Sequence, residues 1–390
     1  MKIGIDARSI LNPEKNPAIG VGHYTYQLIK HLLKIDKENE YVLFFDYRVR
    51  EKDVKKFSQG NVEIKYFPWS DYKKYLPGAY SEILGLATVA NNNLDLLHIT
   101  SPDARVPVGY RGKVICTFQD LAVYKQPELF PAVYKARAKY NRQAMAKRAD
   151  QIIAVSENTK DDLKEIFKVS DEKVNVIYNG VDERFFSDNN MNDASDQVKE
   201  KFGIVGKYLL FIGTIEPIKN ITRLLEAFAM FKENLRKKGS QEKYQLVLGG
   251  KSGWLSDVYS QTTKDLGLEK DVKFLGYVEG DDLRVLFKRA ELFVMPSLYE
   301  GFGVTVLEAM ANKTPCLVSD LKTLREIASD SAVFVNPLDV KEIAEKMEEL
   351  VGDVEKREMM INDGFVQSRK FSWNNCAEET LKVYKKVSNK

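Results

Sequence analysis

Apolar and polar positions divide the chain into two series, each built from short apolar segments that alternate with longer amphipathic ones. The first series begins at residues 2–7 and the second at 208–212, and each beginning is followed by a loop and by apolar positions at helical spacing. These positions are Thr25, Leu28, Ile29, Leu32 and Leu33 in the first series and Leu224, Leu225, Phe228 and Phe231 in the second. The pattern predicts a strand, a loop and a helix at the start of each series.

Further short apolar segments predict the remaining strands. They are 41–45, 96–99, 114–118 and 152–155 in the first series, and 245–248, 272–275, 292–295, 316–318 and 332–335 in the second. Nearly continuous apolar strands that alternate with helices indicate parallel sheets covered by helices on both faces. We therefore expect an α/β protein with two doubly wound, Rossmann-like domains.

The boundary between the domains is predicted from composition. Residues 187–193 are polar and lack periodicity, which is typical of a linker. We expect a first domain over 1–185, a second domain over 186–370, and a final helix at about 373–386 that forms most of 371–390. The length of 390 residues agrees with this division, because domains commonly contain about 100–200 residues.

Composition excludes several classes of protein. No apolar run approaches the roughly 20 residues that cross a bilayer, and the first residues predict a strand rather than a signal peptide. The three cysteines are far apart and odd in number, which argues against a disulfide framework and favours a reducing cytoplasm. With three histidines and no metal-ligand spacing, a zinc site is not expected. The net charge of +3 is too small to indicate nucleic-acid binding, although residues 1–185 hold 29 basic and 24 acidic residues.

The segment 296–310 carries the strongest candidate chemistry. A predicted buried strand ends there, a loop with Gly303 follows, and a helix is predicted from about Val304. Free N–H groups at such a helix start bind anions, and a glycine allows a ligand to approach the backbone closely. Glu300 in the loop and Glu308 about one turn into the helix can accept hydrogen bonds from sugar hydroxyls. The alternative is a tight turn with two solvated glutamates.

A second candidate loop follows the strand predicted at 208–212. It begins at Gly213, and Lys219 lies where the next helix starts, so the ammonium group of Lys219 can contact a diphosphate. The alternative is an ordinary surface lysine beside Asn220, which would then be the N-cap of the helix.

The first domain contributes two candidate segments. Gly20 and Gly22 precede a predicted helix, where either the close approach of a ligand or the flexibility of the loop at 12–17 explains them. Asp120 follows the strand predicted at 114–118, at the sheet edge where open α/β sheets bind ligands. A helix N-cap is an equally good explanation of Asp120.

The string Tyr-Glu-Gly-Phe-Gly-x3-Leu-Glu-Ala-Met-Ala at 299–311 resembles the donor motif of family 4 of the retaining glycosyltransferases. The resemblance implies the GT-B fold, in which two Rossmann-like domains face each other across a cleft and a C-terminal helix crosses back to the first domain. It also implies a metal-independent retaining enzyme, with a nucleotide sugar as substrate and no cofactor. Glu300 would contact the transferred sugar and Glu308 would hold the donor ribose. The backbone amides implied to bind the sugar and diphosphate belong to Phe302, Gly303, Val304 and Thr305.

The other loops resemble further parts of the same family. Gly213 and Lys219 would belong to the phosphate loop, and Gly20 and Gly22 would face the donor diphosphate from the first domain. The segment ending in Gln119 and Asp120 resembles the stretch near the transferred sugar. The resemblance therefore implies that Glu300, Gln119 and Asp120 form the catalytic group.

Two positions depart from the family pattern. Gln119 stands where the family has a histidine, and it can hydrogen-bond a hydroxyl but cannot shuttle a proton. Thr214 and Ile218 occupy the places where the family carries an arginine. We expect either that Lys251 supplies this second positive charge or that donor affinity is weak.

The resemblance is nearest to bacterial mannosyl- and rhamnosyltransferases. It implies transfer of a hexose, with GDP-mannose as the favoured donor, to a glycan or lipid-linked acceptor in cell-surface polysaccharide synthesis. The expected location is the cytoplasm, at the inner face of the cell membrane. The basic run at 134–148 fits contact with an anionic membrane, and a solvated helix face is its alternative.

Other functions remain as alternatives. A non-catalytic nucleotide-sugar-binding subunit fits Gln119 and the absent arginine, whereas the pair Glu300 and Glu308 opposes it. A peripheral membrane scaffold would use only the basic half. Nucleic-acid binding has the least support, because basic and acidic residues are interleaved over most of the chain. A sugar phosphorylase would need a lysine-bound pyridoxal phosphate, for which no motif is present.

Overall fold

The computed structural model describes residues 1–10, 20–46, 49, 51–67, 79–104, 106–107, 109–187, 191–253 and 256–388. The chain divides into two compact units. Unit 1 comprises Met1–Gly180 together with Ser372–Lys390, and unit 2 comprises Val181–Phe371. Each unit contains one parallel sheet with helices, so the prediction of two doubly wound α/β domains is confirmed.

In unit 1 the described residues form a seven-stranded parallel sheet in the order β3-β2-β1-β4-β5-β6-β7. The strands are β1 Lys2–Asp6, β2 Glu40–Asp46, β3 Val62–Phe67, β4 Leu96–Ile99, β5 Lys113–Phe118, β6 Gln151–Ala154 and β7 Val174–Val176. In the centre of the sheet Gly4 lies between Val42 of β2 and Leu97 of β4. Every strand predicted in the first half is present, with ends displaced by at most one residue.

The sequence pattern missed β3 and β7, which lie at the two edges of the sheet. An edge strand is covered on fewer sides than a central one, so it does not need a continuous apolar run. In β3 the polar residues Glu63 and Lys65 alternate with partly buried apolar ones. Strand β7 has only three residues, too few to show any period.

The helices of unit 1 bury the predicted apolar faces. They are α1 Val21–Ile35, α2 Glu51–Val54, α3 Ala79–Ala90, α4 Ala122–Lys125, α5 Ala132–Arg148, α6 Glu157–Phe167 and, from the end of the chain, α15 Trp373–Ser388. All five residues predicted on the inner face of α1 are buried. Helix α15 packs against α1, β4 and β5, which confirms that the C-terminal helix returns to the first domain.

A buried polar chain fixes α15 to the sheet of unit 1. The Tyr384 hydroxyl lies 2.7 Å from His98 Nδ1, and His98 Nε2 lies 2.8 Å from the Thr117 hydroxyl, which also contacts Tyr24 at 3.0 Å. Burial lowers the pKa of His98 to about 3, so the ring is neutral at physiological pH. These hydrogen bonds satisfy a histidine that has no access to solvent.

The chain leaves unit 1 and re-enters it at neighbouring points. A Cβ atom added at Gly180 would lie 2.1 Å from the backbone nitrogen of Trp373 and 2.5 Å from the carbonyl carbon of Ser372. Only glycine therefore allows the outgoing segment to pass the start of α15 this closely.

In unit 2 the described residues form a six-stranded parallel sheet in the order β10-β9-β8-β11-β12-β13. The strands are β8 Lys207–Ile212, β9 Tyr244–Gly249, β10 Val272–Gly276, β11 Leu292–Met295, β12 Cys316–Ser319 and β13 Val333–Val335. Strands β8 and β11 are neighbours at the centre, where the direction of chain progression across the sheet reverses. All strands predicted in the second half are present.

Eight helices of unit 2 lie within the described ranges. They are α7 Met191–Phe202, α8 Ile221–Lys237, α9 Ser256–Asp265, α10 Gly280–Arg289, α11 Val304–Ala311, α12 Lys322–Ala328, α13 Val340–Gly352 and α14 Val354–Ser368. The four apolar positions predicted in α8 are fully buried. The linker predicted at 187–193 is wrong in part, because α7 already begins at Met191, while 188–190 lie outside the described residues.

Candidate active site

The loops that follow β8 and β11 leave the carboxyl edge of the sheet side by side. Their backbones are joined directly, since the Leu298 N–H donates to the Ile218 carbonyl at 2.8 Å. Asn220 adds a second link by donating from Nδ2 to the carbonyls of Pro296 at 3.0 Å and Pro337 at 2.6 Å. The sheet thus brings together two segments that the sequence predicted separately as parts of a donor site.

Asn220 does not cap α8 with its side chain. It occupies the N-cap position with φ of 59°, but its amide makes no capping hydrogen bond and connects neighbouring loops instead. The alternative that Asn220 is the N-cap residue of α8 is therefore correct in position, although its side chain makes no capping hydrogen bond. Left-handed backbone geometry is tolerated by asparagine better than by most residues, which explains its presence here.

Helix α11 begins after a glycine, so its N-cap residue has no side chain. Gly303 is the N-cap residue with φ of 95°, and no side-chain hydrogen bond caps the helix. A Cβ at Gly303 would lie 2.7 Å from Leu324 Cδ2 and 3.0 Å from Ile327 Cδ1, and the positive φ itself favours glycine. The first N–H groups of any helix lack intrahelical acceptors, and together with the helix dipole they favour an anion.

Lys219 and Glu300 approach each other from the two loops. Lys219 Nζ lies 2.6 Å from Glu300 Oε1, and their side chains are only 19% and 10% exposed. The backbone of Glu300 is held in place by the Thr323 hydroxyl, which donates to its carbonyl at 2.9 Å. Lys219 is therefore not an ordinary surface lysine, and the site combines one cation with one hydrogen-bond-accepting anion.

Glu308 is buried in the second turn of α11, with 8% of its surface exposed. Burial raises the pKa of its carboxyl to about 8, the nearby Asp182 raises it further, and Arg184 opposes the shift. Among the described residues no hydrogen bond reaches the Glu308 carboxylate, and its oxygens are not among the fully buried atoms that lack a partner. A ligand with hydroxyl groups would supply the missing donors.

Lys251 lies beside the loop that follows β8. The Ile215 N–H donates to the Lys251 carbonyl at 2.9 Å, and the Gly253 N–H donates back to Ile215 at 3.0 Å. The Lys251 ammonium lies 5.0 Å from the centre of the Tyr277 ring. Burial, Glu279 and then Glu308 raise the pKa of Tyr277.

Two side chains at the start of α11, those of Phe302 and Thr305, contact other residues of unit 2. Phe302 is buried with its ring 6.0 Å from that of Phe371 in an edge contact, and the Thr305 hydroxyl donates to the Met295 sulfur at 3.5 Å. Val304 is the first residue of the helix. The predicted contribution of Phe302, Val304 and Thr305 is through their backbone, and the inward side chains are compatible with it.

In unit 1 the two candidate glycines occupy the first turn of α1. Gly20 is the N-cap residue with φ of 56°, and a Cβ there would meet no atom within 4 Å. Gly22 is buried inside the helix. The flexibility of the loop at 12–17 is the alternative explanation of these glycines, and this loop lies outside the described residues.

Asp120 is held by structural contacts. Its Oδ1 accepts hydrogen bonds from Arg142 and from the Ala122 N–H at the start of α4, both at 3.0 Å. Arg142 also makes a bidentate pair with Asp103 at 3.0 Å for each bond. Although burial opposes it, the carboxylates of Asp120 and Asp103 raise the pKa of Arg142. These contacts favour the interpretation of Asp120 as a helix-start anchor, and its catalytic role stays a prediction.

Gln119 lies next to Asn179 at the same edge of the sheet. The Asn179 amide donates to Gln119 Oε1 at 3.5 Å, and the described residues give no partner to Gln119 Nε2 or Asn179 Oδ1. Rotating both amides by half a turn exchanges these roles, so one donor and one acceptor stay unsatisfied in either orientation. Such a pair can bind a hydroxyl group, which both donates and accepts. Whether Gln119 acts in the reaction stays a prediction.

Three contributors to these sites were not expected from the sequence. Asp182 affects the titration of Glu308, Tyr277 follows β10 at the carboxyl edge of the sheet, and Arg142 anchors Asp120. Only Tyr277 carried a local signal, because ligands of open α/β sheets bind where strands end. Asp182 and Arg142 belong to other segments of the chain than Glu308 and Asp120, and no spacing in the sequence predicts these interactions.

Two family models match the chain. Residues 19–185 match the model described as Glycosyltransferase Family 4, and residues 194–366 match the model described as Glycosyl transferases group 1. The chain belongs to the family 4 glycosyltransferases. The two matches together cover most of this family 4 glycosyltransferase, including the loops with Lys219, Glu300 and Glu308.

Several known proteins are similar to this glycosyltransferase. It is 28% identical to the O-antigen chain mannosyltransferase B of Escherichia coli over 96% of this chain and 97% of that protein. It is 31% identical to the O-antigen chain mannosyltransferase RfbU of Salmonella typhimurium over 58% and 57% of the two chains. The structure of Alr3699/HepE from Anabaena in complex with UDP and glucose has a TM-score of 0.75 at 18% identity, covering 99% of this chain and 100% of that one. The fold is the GT-B type.

None of the helices in the described ranges combines the length and the apolar character that crossing a bilayer requires. Within the same residues no group of three or more His, Cys, Asp or Glu side chains is arranged to hold a metal ion.

Proposed function

We propose that this glycosyltransferase transfers a hexose with retention of configuration, without a metal, from a nucleotide sugar to a glycan or lipid-linked acceptor. Mannose from GDP-mannose is the favoured donor, because the O-antigen chain mannosyltransferases of E. coli and S. typhimurium are among its relatives. The proposed process is the synthesis of a cell-surface polysaccharide. The proposed location is the cytoplasm at the inner face of the cell membrane, where a lipid-linked acceptor would be presented.

One observation supports this function best: Lys219 and Glu300 form an ion pair next to the start of α11. A nucleotide sugar combines a diphosphate with two sets of hydroxyl groups. Lys219 and the N–H groups of α11 are suited to the diphosphate, and Glu300 is suited to hydroxyls of the transferred sugar. Glu308, buried and without a donor among the described residues, is suited to the ribose hydroxyls.

The proposed reaction breaks the bond between the anomeric carbon and the diphosphate oxygen, and the electron pair leaves with the diphosphate. Lys219 and the helix-start amides stabilise the negative charge that develops on this leaving group. The acceptor hydroxyl then attacks the anomeric carbon from the same face, which retains the configuration. Its proton passes to the departing phosphate oxygen, so the reaction needs no histidine at position 119.

Positive charge from the protein takes the part that a metal ion plays in other transferases. Lys219 supplies one charge, and we propose that Lys251 supplies the second in place of the arginine that the family carries. Lys251 is positioned for this by its backbone pairing with Ile215 in the phosphate loop. Tyr277 beneath its ammonium group orients the side chain by a cation–π contact.

Thermal unfolding of the full chain with a panel of nucleotide sugars tests the donor. GDP-mannose, UDP-glucose, UDP-N-acetylglucosamine and dTDP-rhamnose are compared with the free nucleotides. A donor present at a hundred times its dissociation constant stabilises the fold by about 2.7 kcal/mol, which gives a clear shift of the midpoint. We expect the largest shift with GDP-mannose.

Transfer activity in Lys219→Ala tests the role of the phosphate loop. Removing a charge that stabilises the leaving group is expected to lower kcat/KM about a hundredfold or more. Lys264→Ala is the matched control, because Lys264 is an exposed lysine of unit 2 with no ion pair among the described residues. Equal activity of both variants would contradict the proposed role of Lys219.

The remaining features of the proposal have separate measurements. Full activity with a chelator present is expected for a metal-independent enzyme, and the anomeric signals of donor and product by NMR should show the same configuration. Binding of a donor with no transfer to any glycan or lipid-linked acceptor would instead favour a nucleotide-sugar-binding subunit without catalysis.

A further inference from the structure

Helix α5 has an unusual charge composition. Its 17 residues include six basic and no acidic side chains. The nearest acidic residues along the chain are Glu128 before the helix and Asp150 after it. A solvated helix face normally mixes both signs of charge, so this helix concentrates positive charge on one element.

The two faces of α5 differ sharply in exposure. The inward face consists of Ala138, Asn141, Arg142, Met145 and Ala146, all of which are buried. The outward face contains an exposed stripe at successive spacings of four, three, four and three residues. This stripe, called the outer stripe below, consists of Val133, Arg137, Tyr140, Ala144 and Lys147.

The positive charge of α5 is directed outward. Two residues are exceptions: Arg142 is buried and balanced by Asp103 and Asp120, and Arg148 pairs with Asp150 at 3.5 Å. Lys135, Arg137 and Lys147 form no ion pair with any other described residue. The outer stripe and its neighbours therefore present uncompensated charge to solvent, which attracts anionic surfaces.

Apolar and aromatic side chains accompany this charge. Val133 is 84% exposed, Tyr140 is 68% exposed and Tyr134 is 43% exposed. Phe130 stacks on Tyr134 with ring centres 5.7 Å apart. Tyrosine rings with a polar tip are well suited to the boundary between lipid headgroups and acyl chains.

We propose that the outer stripe of α5 docks unit 1 onto an anionic lipid surface. Basic residues attract the headgroups, while Val133 and Tyr140 reach the boundary below them. The stripe has too few apolar residues for deep insertion, so the helix adsorbs to the surface. The proposal rests on the proposed function in one respect, namely that a lipid-linked acceptor is presented at such a surface.

The inward face of the same helix links this surface to the candidate site of unit 1. Arg142 donates to both the carbonyl and the carboxylate of Asp120, at 3.1 and 3.0 Å, next to Gln119. One face of α5 would thus rest on lipid, while its opposite face holds the loop at the carboxyl end of β5. Docking would hold this loop at a constant position relative to the surface.

Vesicle sedimentation with the full chain tests the docking surface. Vesicles of phosphatidylcholine alone are compared with vesicles of equal parts phosphatidylcholine and phosphatidylglycerol, at low and high salt. We expect binding only to the anionic vesicles, weakened by salt. The double variant Arg137→Glu with Lys147→Glu should lower the partition coefficient about tenfold or more, since each basic residue near the surface contributes to the attraction.

A second variant separates the apolar contribution from the charge. Val133→Ser with Tyr140→Ser should reduce binding to anionic vesicles at both salt concentrations, because apolar contacts are not screened. The matched control is Lys264→Glu with Lys270→Glu, which changes the net charge equally at exposed positions of unit 2. This control should leave binding nearly unchanged.

The thermal shift produced by GDP-mannose distinguishes failure of this inference from failure of the proposed function. All variants should keep the wild-type shift, because none alters a residue of the donor site. Absence of vesicle binding by the wild-type protein would overturn the inference, and so would equal binding to neutral and anionic vesicles. Binding that is lost equally in the control pair would also overturn it, because net charge and not α5 would then be responsible.

Discussion

At the scale of single residues, Glu308 is the clearest example of an ionisable side chain that is largely shielded from water. Its carboxyl is buried, burial raises its pKa to about 8, and the carboxylate of Asp182 adds to the effect. Such a position costs folding free energy, and proteins keep costly positions where a ligand uses them. The described residues offer the carboxylate no hydrogen-bond donor, which suits a role in holding ribose hydroxyls.

We predict that Glu308→Gln stabilises the protein without ligand at alkaline pH. Between about pH 4.5 and about pH 8 the folded protein keeps a proton that the unfolded chain has released, so the free energy of unfolding falls as pH rises. Glutamine is neutral throughout and escapes this loss. Its free energy of unfolding should exceed that of the wild type by on the order of a few kcal/mol at about pH 9, and by little at about pH 5.

Denaturant unfolding at the two pH values measures this difference. Glu358→Gln is the control, since it removes an exposed carboxylate from α14 in the same unit. The same Glu308→Gln protein should lose much of the thermal shift caused by the donor. A variant that is destabilised at both pH values would show that the carboxylate has a structural partner instead.

At the scale of elements, the local pattern predicted all six strands of unit 2 and the five inner strands of unit 1, and it failed at the two edges of unit 1. Strands such as β8 and β11 are buried on both faces and read as continuous apolar runs. Strands β3 and β7 end the sheet of unit 1, and their sequences carry no comparable run. The first residues of α7 are polar, so the sequence pattern predicts a linker where this helix begins.

The candidate site was predictable as segments and not as contacts. The positions of Lys219, Glu300 and Glu308 after strands and at helix starts follow from the sequence pattern. Their mutual geometry depends on backbone bonds between loops, such as that from Leu298 to Ile218, which no local pattern contains. The same holds for Asp182, whose effect on Glu308 arises from a distant segment.

We predict that Gly250→Ala disrupts the phosphate loop. The added Cβ would lie 1.7 Å from the Gly213 carbonyl oxygen, so one of the two backbones must move. The displacement should cost about 1–3 kcal/mol of unfolding free energy and weaken donor binding, because Gly213 starts the loop that carries Lys219. Gly352→Ala is the matched control, since a Cβ at that position meets no atom within 4 Å. Equal stability of the two variants would contradict this account.

At the scale of the whole molecule, the two units differ in the number of chain segments that form them. Unit 2 is one continuous segment, Val181–Phe371, whereas unit 1 needs both Met1–Gly180 and the segment that contains α15. Helix α15 buries Trp373, Val383 and Tyr384 within unit 1. Without it, the His98 ring would lose its bond to the Tyr384 hydroxyl, and apolar surface on α1 would face water.

This difference predicts the behaviour of fragments. Residues 181–371 expressed alone should unfold cooperatively and respond to GDP-mannose, because they retain a complete sheet and the loops with Lys219, Glu300 and Glu308. Residues 1–180 alone should lack a cooperative transition, since burial of a large apolar side chain contributes about 1.5–3 kcal/mol and α15 contributes several. Adding a peptide of residues 372–390 should restore the transition, and the same peptide with Tyr384→Ala should restore it poorly. Cooperative unfolding of 1–180 by itself would mean that α15 is an accessory to unit 1 and not part of its core.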